Sequence, residues 1–536
     1  MSEAMNISRR DLVKGASLMG AAALGGGLLS GCASQNEEAT QDARAWDKET
    51  DVLVIGYGGA GANAAIVAHD AGSDVLIIEK MPTGGGNTTL SLGGWICPTS
   101  AEETYEYICK LFEVSHAEMD EEVVRMFSDE VVKTNDWMQG LDESLEISVY
   151  GGSGFPDLVG ASSQQKCRIV PQGGTRTGDA LFETYVKAVE EDRGIEVMLE
   201  TPAKELIVND EGMVIGCLVE SGGAELAIKA RKAVVMACGS FEYDESLKIN
   251  SIKGWPLFAL GNPGNNGDGI RMAQKVGADM WHMNVCVTQL GYKNDICESA
   301  FKLGFTSPNF FWVNKAAERF ANEPKVEAHS ILNIMDIYDA DPDVLEYPNN
   351  PIYLIFDETA RQAGPICSSY AYSRNVHVWS DDNSEEVELG WIKRADTFED
   401  LASQLGLDPA ALAETANRYN TLVEAGADED FGRAITKTDA KGNESAVSAP
   451  LVTPPFYGIE LGCAIFHCGG GPRRNAEGRV VDPFGEPIAH LYSAGEMGTM
   501  WGSIYQGAGM NAEAMVTGWV AGRNAAAEMP WDAKAE

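Results

Sequence analysis

The glycines at positions 56, 58 and 61, with an acid further along the chain, point most directly to chemistry. They stand in the run Gly56-Tyr57-Gly58-Gly59-Ala60-Gly61, and Glu79 follows 23 positions after Gly56. A glycine turn of this spacing lets the backbone approach a pyrophosphate, and an acid about 20 residues later accepts hydrogen bonds from a ribose. The pattern therefore predicts a dinucleotide site, and the residues expected to contact the cofactor are Gly56, Gly58, Gly59, Ala60, Gly61 and Glu79.

A strand, a turn and a helix must follow one another for such a site to form, and the sequence has this order. Residues 51–55 are a short β-branched apolar run, which is typical of a buried parallel strand. An alanine-rich helix to about residue 71 follows the glycines, and a second apolar strand over 74–78 ends at Glu79. The helix N-terminus then faces the negative phosphates. The alternative is an ordinary βαβ turn without a ligand.

The loop after Glu79 favours FAD over NAD. It begins at Lys80, continues through Gly84-Gly85-Gly86-Asn87-Thr88-Thr89, and reaches Gly93-Gly94. Glycines with amide and hydroxyl side chains suit a longer cofactor, whose ribityl chain and flavin extend across the domain. The residues expected to contact it are Lys80, Gly86, Asn87, Thr88, Gly93 and Gly94. Because no second glycine fingerprint is found for NAD, we expect an external electron carrier, such as a membrane cytochrome or quinol system.

Four further motifs resemble the flavoprotein family of fumarate reductases, succinate dehydrogenases and 3-ketosteroid Δ1-dehydrogenases. They lie at residues 233–241, 267–269, 491–496 and 505–511. The resemblance implies an α/β fold, with a discontinuous Rossmann-like FAD-binding domain and an inserted α+β cap domain. It also implies cofactor contacts from Ala237, Gly239, Asp268, Gly495, Glu496 and Asn511. The 84–94 loop lacks the histidine that carries covalent flavin in succinate dehydrogenases, so non-covalent FAD is expected.

The last of these motifs contains Tyr505-x-Gly-x-Gly509, which resembles the 3-ketosteroid Δ1-dehydrogenases in particular. The resemblance implies an oxyanion hole in which the Tyr505 hydroxyl and the Gly509 N–H bind a substrate carbonyl. His467 aligns with a family histidine that contacts substrate, and it is the candidate carrier of the α-carbon proton. The alternatives are a core aromatic for Tyr505 and a structural histidine for His467. Weaker candidates in the cap are Tyr292, His329, Tyr370, Tyr372 and Arg374.

The cations with which fumarate reductases hold a dicarboxylate are missing. Glu327 occupies the position of the family's proton-donating arginine, and residues 287–289 lack its histidine. The second clamping arginine is replaced by the segment 505–509. A dicarboxylate would then stay unneutralised in a protein of formal charge −40, at a cost of several kcal/mol. Fumarate is therefore not the expected substrate.

The sequence thus predicts an FAD-dependent oxidoreductase acting on CH–CH groups. We expect it to reduce the C=C bond of a small α,β-unsaturated carbonyl compound, such as a steroid-like enone, an aryl acrylate or a lactone. Three alternatives stay open: a ketosteroid-type dehydrogenase working in the oxidative direction, a fumarate reductase-like enzyme, and a non-catalytic flavin-binding lipoprotein.

The amino-terminal residues predict export and anchoring. Ser8-Arg9-Arg10 begins a twin-arginine pattern, and an apolar run leads to Leu29-Ser30-Gly31-Cys32, which resembles a lipoprotein box. We expect an extracytoplasmic protein held at the cell membrane by a lipid on Cys32; the alternative is a short helix. The expected organisation is a signal over 1–32, a linker over 33–49, FAD-binding segments over 50–280 and 461–528, and a cap or substrate domain over 281–460.

Composition narrows the partners further. The chain has 80 acidic and 40 basic residues, and such a charge repels nucleic acid and bare anionic lipid. No C-x-x-C pair is present, so a zinc site or an iron–sulfur cluster is not expected.

Overall fold

The computed structural model describes residues 45–323, 337–343, 345–438 and 442–533. From Ala45 onward the described residues belong to one compact unit. The predicted signal with Cys32, and the cap residues Glu327 and His329, lie outside the described residues.

Strands provide the frame of the molecule, and the described ones are numbered in chain order. They are β1 Lys48–Ile55, β2 Val75–Ile78, β3 Gly94–Ile96, β4 Ile147–Gly151, β5 Lys166–Ile169, β6 Glu196–Met198, β7 Ala203–Val208, β8 Val214–Ser221, β9 Ala224–Met236, β10 Phe258–Ala259, β11 Met280–Trp281, β12 Cys286–Tyr292, β13 Phe301–Lys302, β14 Phe310–Val313, β15 Ile352–Asp357, β16 Lys393–Ala395, β17 Thr436–Thr438, β18 Glu444–Ala446, β19 Phe456–Cys468, β20 Gly471–Pro472, β21 Arg479–Val481 and β22 Pro487–Ser493.

Helices cover and connect the sheets. The described α-helices are α1 Gly59–Asp70, α2 Gly86–Leu90, α3 Ala101–Ser115, α4 Glu121–Val131, α5 Thr134–Leu141, α6 Thr177–Val186, α7 Glu245–Ser251, α8 Asp268–Lys275, α9 Glu358–Arg361, α10 Ser384–Glu388, α11 Phe398–Leu405, α12 Pro409–Ala425 and α13 Gly509–Ala527. Within the described part of the chain, no helix combines the length and apolarity needed to cross a bilayer.

The first sheet has eight strands, with the order β21-β22-β9-β1-β2-β6 and with β7 and β8 joined to β9. Strands β22, β9, β1, β2 and β6 are parallel to one another. Their register aligns Ile55 with Ile78 and with Met236, and it aligns Met236 with Ser493. With β6, whose last residue Met198 lies opposite Ile78, five strands therefore end at one edge of the sheet, and this edge is where parallel α/β sheets bind ligands.

The second sheet has seven strands, with the order β13-β12-β19-β15-β14 and with β10 and β16 also paired to β19. The thirteen-residue β19 pairs with β15 over its first half and with β12 over its second half. It runs on to Cys468, and β10 begins at Phe258, so this sheet extends past the predicted cap boundaries at 281 and 460. Those domain boundaries stay a prediction.

Helices α1 and α13 cross in close contact on the first sheet. A Cβ atom added at Gly518 would lie 2.8 Å from the Ala60 carbonyl oxygen, and one added at Gly522 would lie 2.3 Å from that of Ala64. Only glycine permits this separation, and the contact fixes the start of α13 close to the glycine turn at the start of α1. The close packing of the two helices therefore depends on glycines in α13.

Candidate functional site

A large cavity of about 390 Å³ lies between the carboxyl edge of the first sheet and the end of β19. Most of the residues predicted from sequence line it: Gly56, Gly58, Gly59, Ala60, Glu79, Lys80, Gly86, Asn87, Thr88, Gly94, Ala237, Gly239, Asp268, His467, Gly495, Glu496, Tyr505 and Asn511. The structure therefore brings residues from the whole length of the chain to one cavity.

Three predicted residues do not line the cavity. Gly61 packs the helix onto the turn, since an added Cβ would lie 1.9 Å from the Gly56 carbonyl oxygen. Gly93 has φ +62° and lies against the Thr177 carbonyl. Gly509 donates its N–H to the Gln506 carbonyl oxygen at 2.9 Å, so in this structure the N–H closes a turn. The oxyanion role of Gly509 stays a prediction.

The glycine turn fits a pyrophosphate. Gly56 has φ +105°, and an added Cβ would lie 2.3 Å from the Ala237 carbonyl oxygen, so the turn packs directly against the residue that follows β9. An added Cβ at Gly58 would meet nothing nearer than 3.8 Å, and Gly58 lines the cavity. The backbone is thus open on the side where α1 begins, as a phosphate bound at a helix N-terminus requires.

Charged side chains at the same end of the cavity are held by near neighbours. The two Glu79 oxygens accept from the Tyr57 and Met81 N–H groups, each at 2.8 Å, and burial raises the pKa of Glu79. Lys80 Nζ donates to Asp268 Oδ2 at 2.7 Å. Each carboxylate oxygen has a second lone pair, so Glu79 can still accept from a ribose hydroxyl. These charged and hydrogen-bonding groups fit the adenosine half of FAD.

Two carboxyl groups, the buried Glu242 and the partly buried Glu496 of the cavity lining, lie close together. Asn87 Nδ2 donates to Glu496 Oε1 at 3.1 Å and to Glu242 Oε1 at 3.3 Å. Asn265 also donates to Glu242 Oε1, at 2.8 Å. Burial raises the pKa of Glu242 to about 7, and burial together with the charge of Glu242 raises the pKa of Glu496 well above its usual range. The sequence analysis predicted Asn87 and Glu496 but not Glu242.

Tyr505 and His467 meet at the cavity wall. His467 Nε2 lies 3.2 Å from the Tyr505 hydroxyl oxygen, and His467 Nδ1 lies 3.7 Å from Glu496 Oε2. Both residues are buried: Tyr505 is 4% and His467 is 6% exposed. An imidazole against a phenol can take up or return its proton. The pair can therefore hold a proton beside a bound carbonyl group, which is the chemistry predicted for these two residues.

Hydrogen bonds of the Gln506 side chain fix the loop that carries Tyr505. Gln506 Oε1 accepts from the Tyr107 hydroxyl at 2.7 Å and from the Gly154 N–H at 2.9 Å. Asn511 Nδ2 donates to the Gly94 carbonyl oxygen at 2.8 Å and fixes the start of α13. Gln506 has no recognisable sequence signal, because its partners lie about 350 to 400 positions away in the chain.

A buried ion pair supports the segment that carries Glu496. Arg474 pairs with Glu513 and donates to the carbonyl oxygens of Gly495 and Met497, each at 3.0 Å. Glu513 also accepts from the Met500 N–H at 2.7 Å. An arginine that spans this loop holds its backbone in one conformation, so the pair positions Glu496 rather than contacting a ligand itself.

The second sheet forms the remaining wall. Its lining residues are Val287, Gln289, Lys302, Phe466 and His467, and Tyr370 of the segment after α9 lines the cavity beside them. Val287 and Gln289 belong to the segment in which fumarate reductases would have a histidine, and Tyr370 was a weaker candidate. Lys302 was not singled out from the sequence at all, because a lone lysine in an apolar stretch has no motif. The cavity lining described here contains no arginine.

The other weaker candidates have structural surroundings. Tyr292 packs against Phe301, Trp379 and Trp391. Arg374 pairs with Asp179 and approaches the Thr89 carbonyl oxygen at 3.5 Å. Neither these two residues nor Tyr372 line the cavity.

Fold and site together define a flavin-dinucleotide oxidoreductase, and comparison with known proteins gives the family. Residues 51–511 match the model of the FAD binding domain family, and the chain belongs to that family. The chain binds FAD, as the sequence predicted, and it is an oxidoreductase of the class acting on CH–CH groups.

The chain is also similar to individual known proteins. It is 30% identical to a digoxin reductase of Eggerthella lenta over 98% of both chains. A 3-ketosteroid Δ1-dehydrogenase of Sterolibacterium denitrificans has the same fold, with a TM-score of 0.77 and 21% identity over 90% of this chain and all of that one. A flavocytochrome c3 fumarate reductase matches with a TM-score of 0.69 and 25% identity, over 90% of this chain and 78% of that one. The predicted fold and family are confirmed.

Proposed function

We propose that the protein reduces the C=C bond of an α,β-unsaturated carbonyl compound with electrons from an external carrier. The observation that carries the proposal is the Tyr505–His467 contact of 3.2 Å at the wall of the cavity that the glycine turn also lines. The sequence relative named a digoxin reductase supports the reductive direction and a substrate larger than fumarate. The absence of arginine from the described lining also disfavours a dicarboxylate clamp.

FAD, when bound, supplies the hydride chemistry. The chain's own residues act on the substrate oxygen and on the proton. The Tyr505 hydroxyl donates to the substrate carbonyl, where negative charge develops as an enolate when the β carbon is reduced. One such donor stabilises the transition state by about 2.7–4 kcal/mol. His467, hydrogen-bonded to the same hydroxyl, holds the proton that the α carbon needs, so that hydride and proton together add one H₂ across the double bond.

Single-turnover spectroscopy tests the proposal. The holoenzyme is reduced with dithionite without oxygen and mixed with a panel of enones, aryl acrylates and unsaturated lactones. At least one compound should restore the oxidised flavin spectrum and appear as its saturated product. If only saturated ketones react, by bleaching the oxidised holoenzyme, the direction is the reverse; if no compound of either kind reacts, the protein is a flavin-binding relay.

A further inference from the structure

Lys302 is a cavity residue without an assigned role. It ends β13, lies opposite Gly291 of β12, and lines the cavity with Gln289 and Tyr370. Hydrogen bonds fix the backbone around Lys302. The Ser368 N–H donates to the Lys302 carbonyl oxygen at 2.9 Å, and the N–H of the next residue, Leu303, donates to the Leu290 carbonyl oxygen at 2.8 Å. The fold therefore holds the lysine at the wall of the substrate end of the cavity.

The ammonium group of Lys302 has no counter-charge in the part of the chain that the structure describes. No ion pair or hydrogen bond of its Nζ is formed there, and burial lowers the pKa of Lys302. The other two lysines of the cavity differ, because Lys80 pairs with Asp268 and Lys166 has an interaction of its own. A partly buried cation that lacks a partner destabilises the fold. The presence of a lysine here is explained if a bound ligand supplies the missing negative charge.

Lys302 and His467 reach the cavity from separate places on the second sheet. In the second sheet Lys302 lies opposite Gly291, whereas His467 lies opposite Val287. Because β12 separates the strands of these two residues, they are two strand spacings apart, about 10 Å, and displaced by four residues, about 13 Å, along the sheet. The backbone of Lys302 therefore lies well away from that of His467, which suits a contact with a different part of a bound ligand.

We propose that Lys302 binds a carboxylate at the end of the substrate remote from its reactive carbonyl. The inference rests on the proposed function and narrows it to carbonyl compounds that carry one anionic group. One ammonium neutralises one charge, and in a protein of formal charge −40 an anionic ligand needs such a local cation to enter the cavity. Two separated contacts also orient the substrate, since the carbonyl can then face only Tyr505.

Matched acids and esters test this recognition. The probes are benzoylacrylate and an androstenone carboxylate, in which ketone and carboxylate lie at opposite ends, each paired with its methyl ester. Dissociation constants are measured from the flavin absorbance of the oxidised holoenzyme, so turnover is not required. The wild type should bind at least one acid ten times or more tightly than its ester, and Lys302→Met should abolish that preference while ester binding stays within threefold.

Two further variants separate charge recognition from a structural role. Lys302→Arg should keep the preference for the acid, and Lys393→Met, in the same sheet but outside the cavity lining, should behave as the wild type. Without ligand, Lys302→Met should melt at the same or a higher temperature. An equal affinity for acid and ester in every wild-type pair, or a preference that survives in Lys302→Met, overturns the proposal. Turnover of the esters would then leave the proposed enone reduction standing.

Discussion

The contact between Tyr505 and His467 decides the chemistry at the scale of single residues. Tyr505→Phe removes only the hydroxyl, so we expect turnover of the reactive enone to fall about 10²–10³-fold, with the flavin content unchanged, because one donor to the developing oxyanion is lost. Stopped-flow flavin reoxidation measures the effect. Tyr353→Phe, a buried tyrosine in β15 outside the cavity lining, is the matched control. Undiminished turnover in Tyr505→Phe would show that the phenol is only a packing residue.

Glu242 makes the stability of the protein depend on pH. Its pKa is raised by burial from 4.5 to about 7, so the folded state binds its proton more tightly than the unfolded state does. The protonated carboxyl group therefore contributes its whole share of the folding stability below about pH 4.5, and this contribution is lost as the pH rises towards 7. We expect Glu242→Gln to flatten this fall, measured by denaturant unfolding of the holoenzyme between pH 5 and 7.5.

The control for that measurement is an exposed carboxylate. Glu225 lies at the start of β9 and is exposed to solvent, so Glu225→Gln should keep the wild-type slope. The neighbouring Glu496 contributes in the same direction, which leaves some residual slope in Glu242→Gln. An unchanged slope in Glu242→Gln would contradict the assignment of this pH dependence to Glu242.

At the scale of elements, the crossing of α1 and α13 holds both helix N-termini at the cavity. Gly522→Ala places a methyl group 2.3 Å from the Ala64 carbonyl oxygen, so the helices must separate. We expect a loss of about 1–3 kcal/mol in stability and weaker retention of flavin, measured by thermal unfolding and by the flavin-to-protein absorbance ratio. Gly140→Ala in α5, where an added Cβ meets nothing within 4 Å, should instead be neutral or stabilising by about 0.4–1 kcal/mol. Equal melting temperatures for the two variants would refute the packing argument.

A cluster of buried charges around Arg319 belongs to the same scale and has a structural role. Arg319 pairs with Glu323 and with Asp428, and Arg433 donates to Glu323 as well. These buried pairs join the loop after β14 to the loop after α12, away from the cavity lining. This cluster therefore stabilises the connection between the two loops and is not part of the described cavity lining.

At the scale of the whole molecule, we propose that the protein is exported by the twin-arginine route and anchored through a lipid on Cys32. The proposal rests on the sequence of residues 8–32. Replacing both Arg9 and Arg10 with lysine should retain the flavoprotein in the cytoplasm, and Cys32→Ala should release it from the membrane fraction. Cell fractionation with labelled fatty acid measures both outcomes, and Asn36→Ala is the control. Membrane recovery of labelled Cys32→Ala would exclude this anchor.

The sequence by itself determined the cofactor end of the site. The glycine turn, α1, β2 and Glu79 lie within 30 consecutive positions, and their function depends on backbone geometry that glycine alone permits. Such a pattern is local, so it can be recognised without knowing how distant parts of the chain pack. The motifs at Ala237, Glu496 and Asn511 became recognisable through the family resemblance.

Only the tertiary structure decided the substrate end. Lys302, Gln289 and His467 face one cavity because β12 pairs with its sequence neighbour β13 on one side and, on the other, with β19, which lies more than 160 positions further along the chain. Glu242 likewise meets Glu496 through Asn87. No short spacing records such pairings, because strand register is set by long-range packing. The Gly509 N–H, which the family resemblance assigns to the substrate carbonyl, donates to the Gln506 carbonyl oxygen in a local turn, and its oxyanion role stays a prediction.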